Sequence, residues 1–360
     1  VKAVIIAGGS GTRLRPLTYH TPKPMMPLLD RPFLEYQIAW LRQHGITEIV
    51  INLHYLADAI RNVLGNGHQL GVQLHYSLEN APLGTGGAVW HAREFFDEGP
   101  IVVLNGDILT DVDLGAVLET HRRQAAAATL TLIRVEDPTA FGLVITEGDR
   151  VLRFHEKPTP EEAARLGVNT VNAGIYVLDP AVFGLAPENP AFSFERELFP
   201  AILASGRTMA AHVTDRYWID IGNPRKFLEA QQDLLSGRVR VPPPGREVSP
   251  GVWMGPDAEI EVGARIEGPA YIGAGARISA GSSVGPLSIV GAGSRLASGA
   301  RVSGSWLGTG CIIDRDCVVE GTILGASSVL EPAVQLEHGT VLGNACRLTQ
   351  GSRMSGGGPA

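Results

Sequence analysis

Ala3-Val4-Ile5-Ile6-Ala7-Gly8-Gly9-Ser10-Gly11-Thr12-Arg13-Leu14-Arg15-Pro16 runs four apolar residues straight into a glycine-rich turn. A short apolar run bounded by glycine reads as a buried strand. Glycines at 8, 9 and 11 remove the side chains that would keep backbone N–H groups away from an anion, so the loop is a candidate phosphate site. It lacks the Gly-Lys-Ser/Thr ending of a P-loop, and Thr12-Arg13 displaces the third glycine of the dinucleotide fingerprint. In their place stand Arg13 and, ten residues on, Lys23 between Pro22 and Pro24.

Outward from this loop the chain alternates strands with helices. Phe33 to His44 carries Phe33, Leu34, Ile38 and Leu41 at helical spacing, and Gly45 follows as a helix-ending glycine. Further helices are predicted at Leu56 to Leu64, Gly87 to Phe95, Leu114 to Arg123 and Pro224 to Leu235. Strands are predicted at Ile49 to Leu53, Val72 to Tyr76, Ile101 to Leu104 and Ala128 to Leu132. This order implies a Rossmann-like α/β domain with a mixed, mainly parallel sheet, whose ligands sit beyond the carboxyl ends of the strands. Apolar runs at Gly142 to Ile145, Val151 to Phe154 and Ala173 to Val177 are expected to form an inserted, partly antiparallel lid.

Ser236 to Pro250 includes three consecutive prolines and reads as a semi-rigid linker. Beyond it apolar residues recur every six positions at Met254, Ile260, Ile266, Ile272, Ile278, Val284, Val290, Leu296 and Val302. After a slip of two, the series continues as Trp306, Ile312, Val318, Leu324, Leu330, Leu336, Leu342 and Leu348. A period of six fits neither an amphipathic helix nor an alternating strand; it is the pattern of a parallel β-helix with three flat faces around an aliphatic ladder. The expected organisation is therefore a domain over 1–236, a linker over 237–250, a β-helix of roughly six coils over 251–350 and a flexible tail over 351–360.

Composition narrows the function. A net charge of -7 argues against a general nucleic-acid binder, which needs a basic surface. Lysine is scarce, at positions 2, 23, 157 and 226 only, and two of these precede proline, so basic residues act locally. Cys311, Cys317 and Cys346 form no Cys-x-x-Cys pair and read as small buried hydrophobes. The first apolar run is too short for a secretory leader or a membrane span, so the expected setting is the cytoplasm, away from membranes. Acyl transfer, which some hexapeptide β-helices perform, would want a histidine base; between 251 and 350 there is only His338, and no basic tail follows.

The hexads resemble the left-handed β-helix of hexapeptide-repeat transferases and of several sugar-nucleotide enzymes, in which the helix is read here as a structural and homo-oligomerising module. Gly8-Gly9-Ser10-Gly11-Thr12-Arg13-Leu14, Pro16-Leu17-Thr18 and Pro22-Lys23-Pro24 together resemble the signature of the sugar-nucleotide pyrophosphorylases, some of which carry such a β-helix. Leu83-Gly84-Thr85-Gly86-Gly87 resembles the second glycine loop of that family, which packs on base and ribose. The resemblance implies nucleotide contacts at Ala7, Gly8, Gly9, Gly11, Thr12, Glu79, Leu83, Gly84 and Thr85. Asn105-Gly106-Asp107 and Trp218-Ile219-Asp220 match the carboxylates of its metal pair, and two such oxygens with phosphate and water suit Mg²⁺. Glu156-Lys157-Pro158 and Asn172-Ala173-Gly174 resemble its sugar-phosphate site, with Gly142 alongside. Ser193 to Pro200 resembles a segment usual in mannose 1-phosphate guanylyltransferases.

The implied partners are a nucleoside triphosphate and a sugar 1-phosphate, whose ionised oxygen attacks the α-phosphorus without a general base. The obstacle is repulsion between anions, so alignment and charge neutralisation do the catalysis. Arg13 is assigned to the departing β- and γ-phosphates, Lys23 to the α-phosphate and Lys157 to the sugar phosphate, with Asp107 and Asp220 as metal ligands. GTP and mannose 1-phosphate are the favoured pair; GDP-heptose, ADP-, UDP- or dTDP-glucose synthesis and a non-catalytic nucleotide-sugar sensor are the alternatives. Gly86-Gly87 departs from the Ala-Gly usual in the mannose enzymes.

Overall fold

The computed structural model describes residues 1–137, 142–156 and 159–356, which divide into two compact units. One comprises Val1–Ser10 and Leu34–Trp218, the other Gly11–Phe33 and Ile219–Ala360. The glycine-rich loop is thus the place where the chain leaves the first unit for the second.

The first unit is built on a nine-stranded sheet. In chain order its strands are β1 (Lys2–Ile6), β2 (Glu48–Leu53), β3 (Gln73–Leu78), β4 (Ile101–Asn105), β5 (Ala128–Arg134), β6 (Gly142–Glu147), β7 (Arg150–Glu156), β8 (Thr170–Leu178) and β9 (Met209–Thr214). Their order across the sheet is β3-β2-β1-β4-β8-β5-β9-β7-β6. Strand β1 lies parallel between β2 and β4. Val4 and Ile5 are fully buried, as expected for a strand covered on both faces. Helices α1 (Phe33–Gln43), α2 (Ala57–Leu64), α3 (Gly84–His91) and α4 (Leu114–Arg123) fall between these strands; α1, α2 and α4 stand where the apolar spacing put them, whereas α3 starts three residues before the expected Gly87 and ends at His91 rather than Phe95. The second glycine loop, expected to precede its helix, forms the first turn of α3.

The expected lid is not a separate element. Strand β8 runs through the middle of the sheet, antiparallel to β4 (Tyr176↔Val103) and to β5 (Val177↔Thr129), and β6 and β7 form its far edge. The antiparallel run was read correctly but its place was not, because period-two patterning says nothing about which sheet a strand joins. Between Asn172 and Tyr176 the register with β5 shifts, which marks a bulge. Phe194, Phe199 and Tyr176 pack ring against ring behind it, with centroids 5.2–5.5 Å apart.

In the second unit, residues 252–354 form the left-handed parallel β-helix, three faces each of six parallel strands. An antiparallel strand, Arg246–Ser249, extends the first face at its amino-terminal edge. One coil takes 18 residues at Val252↔Ala270 and Ala270↔Ser288, then 17 at Ile289↔Trp306 and Trp306↔Ile323, then 18 at Ile323↔Val341.

These short coils correct the expected ladder. The interior residues after Val302 are Leu307, Ile313 and Val319, then Leu324, Leu330 and Leu336, so the phase slips by one residue twice rather than by two at once. The shortened corners carry Gly304 and Gly321, both with positive φ. Trp306, Ile312 and Val318 point out of the coil instead, and Ile312 is 45% exposed. Two apolar residues in tandem made the phase ambiguous. Ile313→Ala is expected to cost about 2–5 kcal/mol in chemical denaturation, and Ile312→Ala no more than about 0.5. Equal costs would put the ladder back on the original phase.

Helix α5 (Pro224–Leu235) and residues 11–33 complete this unit. Among the described residues no helix is long and apolar enough to cross a membrane.

Candidate nucleotide-transfer site

In the first unit the strand ends converge on the start of the glycine loop. Ala7 N donates to Asn52 O (3.0 Å) beyond the end of β1. Asn52, fully buried, reaches Ala88 O of α3 through its Nδ2 (2.7 Å). Gly8 passes close to the end of β2: a Cβ there would stand 3.3 Å from His54 Cβ and 3.7 Å from Glu79 Oε1. A Cβ at Gly9 would meet nothing within 4 Å, so the loop opens there.

Glu79 is the buried carboxylate of this corner, 9% exposed. Its Oε2 accepts from Leu83 N (3.2 Å), and His54 donates Nδ1–H to its backbone carbonyl (2.9 Å). Burial raises its pKa, while the hydrogen bond from Leu83 and the fields of His54 and His91 pull the other way.

Gly106 fixes Asp107 beside the loop. Its N–H donates to Ile6 O (2.9 Å), and a Cβ would lie 2.5 Å from that same oxygen and 3.1 Å from Ala7 Cα. Gln37, 97% buried in α1, donates through Nε2 to both Asn105 O and Ile108 O (2.9 Å each), clamping the turn that carries Asp107. Gln37 escaped the sequence reading because a glutamine among helical apolar residues carries no motif.

The second glycine loop and the sugar strand form one polar chain. Thr85 Oγ1 donates to Glu195 Oε2 (3.2 Å) and accepts from Phe194 N (3.0 Å). Tyr176 donates to Glu195 Oε1 (3.0 Å), Asn172 Nδ2 to Tyr176 Oη (2.7 Å), and Gly174 N to Asn172 Oδ1 (3.0 Å). Burial, with the negative charge of Glu195 next, holds the Tyr176 phenol well above its ordinary pKa.

Four of the expected site residues also make contacts within the protein. Thr85 and Asn172 each use polar atoms to shape the loop and the bulge. Gly174 adopts φ +68°, and a Cβ there would strike Asn105 Nδ2. Gly84, Gly86 and Gly87 leave room for Phe192 and Pro190: their added Cβ atoms would meet Phe192 O, the Phe192 ring and Pro190 O respectively. The glycine at 86 is thus paired with the aromatic at 192. Leu83 accepts from Phe192 N (2.9 Å). Gly142 opens β6 and Glu156 ends β7, while Lys157 lies outside the described residues.

The second unit carries the cationic half of the signature. Gly11 adopts φ +61°, and a Cβ there would come 3.0 Å from Lys23 Cβ, so loop and lysine lie side by side. Thr18, fully buried, donates to Gly11 O (2.8 Å). Thr12–Leu14 and Lys23–Met25 are single 3₁₀ turns, the second set by Pro22 before it and Pro24 within it. The Cβ position of Gly222 lies 3.0 Å from Asp220 Oδ2 and 3.2 Å from Arg13 Nη1, which brings the carboxylate and the guanidinium to one place.

Strand ends crowded around a glycine turn, with a carboxylate at the next strand end, define an α/β protein that handles a nucleotide. The nucleotidyl transferase family model matches residues 2–237, and a GMPPB C-terminal domain model matches 266–357. The chain belongs to the nucleotidyl transferase family. It is 37% identical over 270 residues to a UTP--glucose-1-phosphate uridylyltransferase of Synechocystis, covering 71% of this chain and 69% of that one. With a mannose-1-phosphate guanylyltransferase of Mycobacterium tuberculosis it shares 39% over 239 residues, 66% of this chain and 65% of the relative. Among solved structures, HddC from Yersinia pseudotuberculosis complexed with GMP-PN superposes with TM-score 0.55 at 28% identity, covering 64% of this chain and 98% of that one.

Proposed function

We propose that this chain joins GTP to mannose 1-phosphate, releasing pyrophosphate and forming GDP-mannose. The sugar is supported by the guanylyltransferase relative at 39% identity and by several further relatives named for the same reaction at 33–36%. The base is supported by Glu79. A buried carboxylate with one oxygen turned toward Gly8 is an acceptor suited to the adjacent N–H donors on the pairing edge of guanine; adenine presents an acceptor there, and uracil a single N–H.

Arg13 neutralises the β- and γ-phosphates and Lys23 the α-phosphate, while Lys157 holds the sugar phosphate and Glu156 the sugar hydroxyls. Ala7, Gly8, Gly9, Gly11 and Thr12 cradle the nucleotide, with Gly84 and Leu83 beside the base. Asn172, Gly174 and Thr85 act by shaping those walls. Asp107 and Asp220 offer hard oxygen donors of the kind Mg²⁺ takes. Among the described residues no three His, Cys, Asp or Glu side chains gather, so phosphate oxygens and water would complete the shell. Bound there, Mg²⁺ would supply positive charge to the triphosphate. A cytoplasmic enzyme that assembles through its β-helix completes the proposal.

The test is pyrophosphate release from each of five triphosphates paired with a panel of sugar 1-phosphates. GTP with mannose 1-phosphate is expected to give the highest kcat/KM, and preference for UTP with glucose 1-phosphate would overturn the assignment. Glu79→Gln is expected to lower kcat/KM for GTP about 10–100-fold, as for loss of a charge-assisted hydrogen bond, with little change for UTP.

A further inference from the structure

The three faces of the β-helix present different outward columns. On the second face the outward residues are Glu259, Arg277, Arg295, Ile312, Val329 and Arg347, and on the third Arg265, Ser283, Arg301, Val318, Gln335 and Arg353. Both columns are largely charged or polar. On the first face Trp253, Tyr271, Ile289, Trp306, Ile323 and Val341 stand in register, and Tyr271, Ile289, Trp306 and Ile323 are each at most 3% exposed. An outward column this apolar and this buried is a docking face.

Its occupants belong to the same unit. Phe227 of α5 stands edge-on against Trp306 with ring centroids 5.0 Å apart, and Gln232 Nε2 donates to Gly304 O (3.2 Å) at the first shortened corner. The segment bearing Arg13 and Lys23 is gripped as well. Pro27–Leu28 pairs with Arg31–Pro32, so Leu29 and Asp30 form the tip of a small hairpin. Leu29 has φ +54°, a strained value for leucine. Its N–H donates to Gln231 Oε1 (2.7 Å), and Gln231 Nε2 returns to Pro27 O (2.7 Å). Asp30 Oδ2 accepts from Tyr271 Oη (3.0 Å) and from Ala274 N (2.9 Å). A Cβ on Gly273 would come 2.8 Å from that oxygen, and one on Gly343 3.1 Å from Pro16 Cβ.

We infer that the first face of the β-helix is a positioning platform for the phosphate-binding cations, with Asp30 as the positioning residue that latches their segment to the coil. The inference rests on the roles proposed for Arg13 and Lys23. Asp30 touches no substrate in this scheme; it acts by fixing the hairpin that follows Lys23. Misplacing a phosphate-binding charge by about 1 Å can cost on the order of 10²-fold in rate, so a loosened latch shows in kcat.

The full-length chain is tested as Asp30→Ala, Tyr271→Phe and, on the third face, Arg301→Ala. Hydrogen exchange is followed in peptides covering 11–33, and kcat and KM are measured with GTP and mannose 1-phosphate. Asp30→Ala, which removes the oxygen that accepts both bonds, is expected to speed exchange in 11–33 and to lower kcat about 10–100-fold with the far-UV circular dichroism unchanged. Tyr271→Phe, which spares the Ala274 bond, should do the same more weakly, and Arg301→Ala neither. Unchanged exchange in Asp30→Ala, or faster exchange with kcat intact, overturns the inference. Exchange needs no turnover, so a wild type inactive with every substrate pair would defeat the proposed reaction while the latch itself is still decided.

Discussion

Lys23→Ala lowers kcat for pyrophosphate release by about 10²–10³-fold while the variant keeps its melting temperature and circular dichroism. That magnitude is the usual cost of removing one pre-positioned charge from a site where charge neutralisation does the catalysis. Structural loss is not expected, because the local turn is set by Pro22 and Pro24 and by the hydrogen bond from Met26 N to Lys23 O, none of which needs the ammonium. Lys23→Arg should not rescue it, because a planar guanidinium does not reproduce the compact point charge of an ammonium. Asp220→Ala should lose a comparable factor and also weaken Mn²⁺ binding measured by electron paramagnetic resonance in the absence of sugar phosphate. Near-normal turnover in either variant would remove that residue from the reaction.

The second large effect is predicted at a residue with no chemistry of its own. Gly106→Ala puts a methyl group 2.5 Å from Ile6 O and 3.1 Å from Ala7 Cα, and both are backbone atoms of the strand end that feeds the glycine-rich loop. Neither can give without opening the bond from Gly106 N to Ile6 O, so the turn carrying Asp107 must move off the loop. The expected result is about 1–3 kcal/mol of destabilisation in urea together with a loss of activity of about 10² or more. Overpacking elsewhere in the core should produce the first without the second. A variant that melts early but turns over normally when folded would show that the spacing between Asp107 and the loop is not critical.

Much of the fold was legible because periodicity is a direct consequence of burial. The 3.6-residue spacing from Phe33 to Leu41 and the continuous run from Ile101 to Leu104 each had one good explanation, and both elements stand where they were expected. Periodicity failed where neighbouring residues offered two equivalent phases: Trp306-Leu307, Ile312-Ile313 and Val318-Val319 are all apolar pairs, and only packing chooses the inward member. It also failed for the antiparallel strands, since pairing partners lie far apart in sequence and no local pattern encodes them. At the proposed site, the residues that carry charge or glycine are proposed from motifs. Those that hold them, Gln37, Asn52 and Asp30, are not, because an amide or carboxylate that bonds to backbone is chosen by position alone. Gly86 and Gly87 illustrate the limit. Their added Cβ atoms would meet Phe192 and Pro190, about a hundred residues downstream, and no local pattern shows that.

The two anchors on the first face restrict modularity. Tyr271 and Trp306 lie two rungs apart on the first face, one meeting Asp30 and the other Phe227. Adjacent rungs are about 4.8 Å apart, so inserting or deleting one coil between them would carry one anchor out of reach of its partner. Exchange of this β-helix with that of a relative should therefore succeed only when the donor keeps the same rung count between those anchors, however well its own repeats are formed. A solenoid usually tolerates changes in repeat number; this one is expected to be fixed in length like a machined spacer.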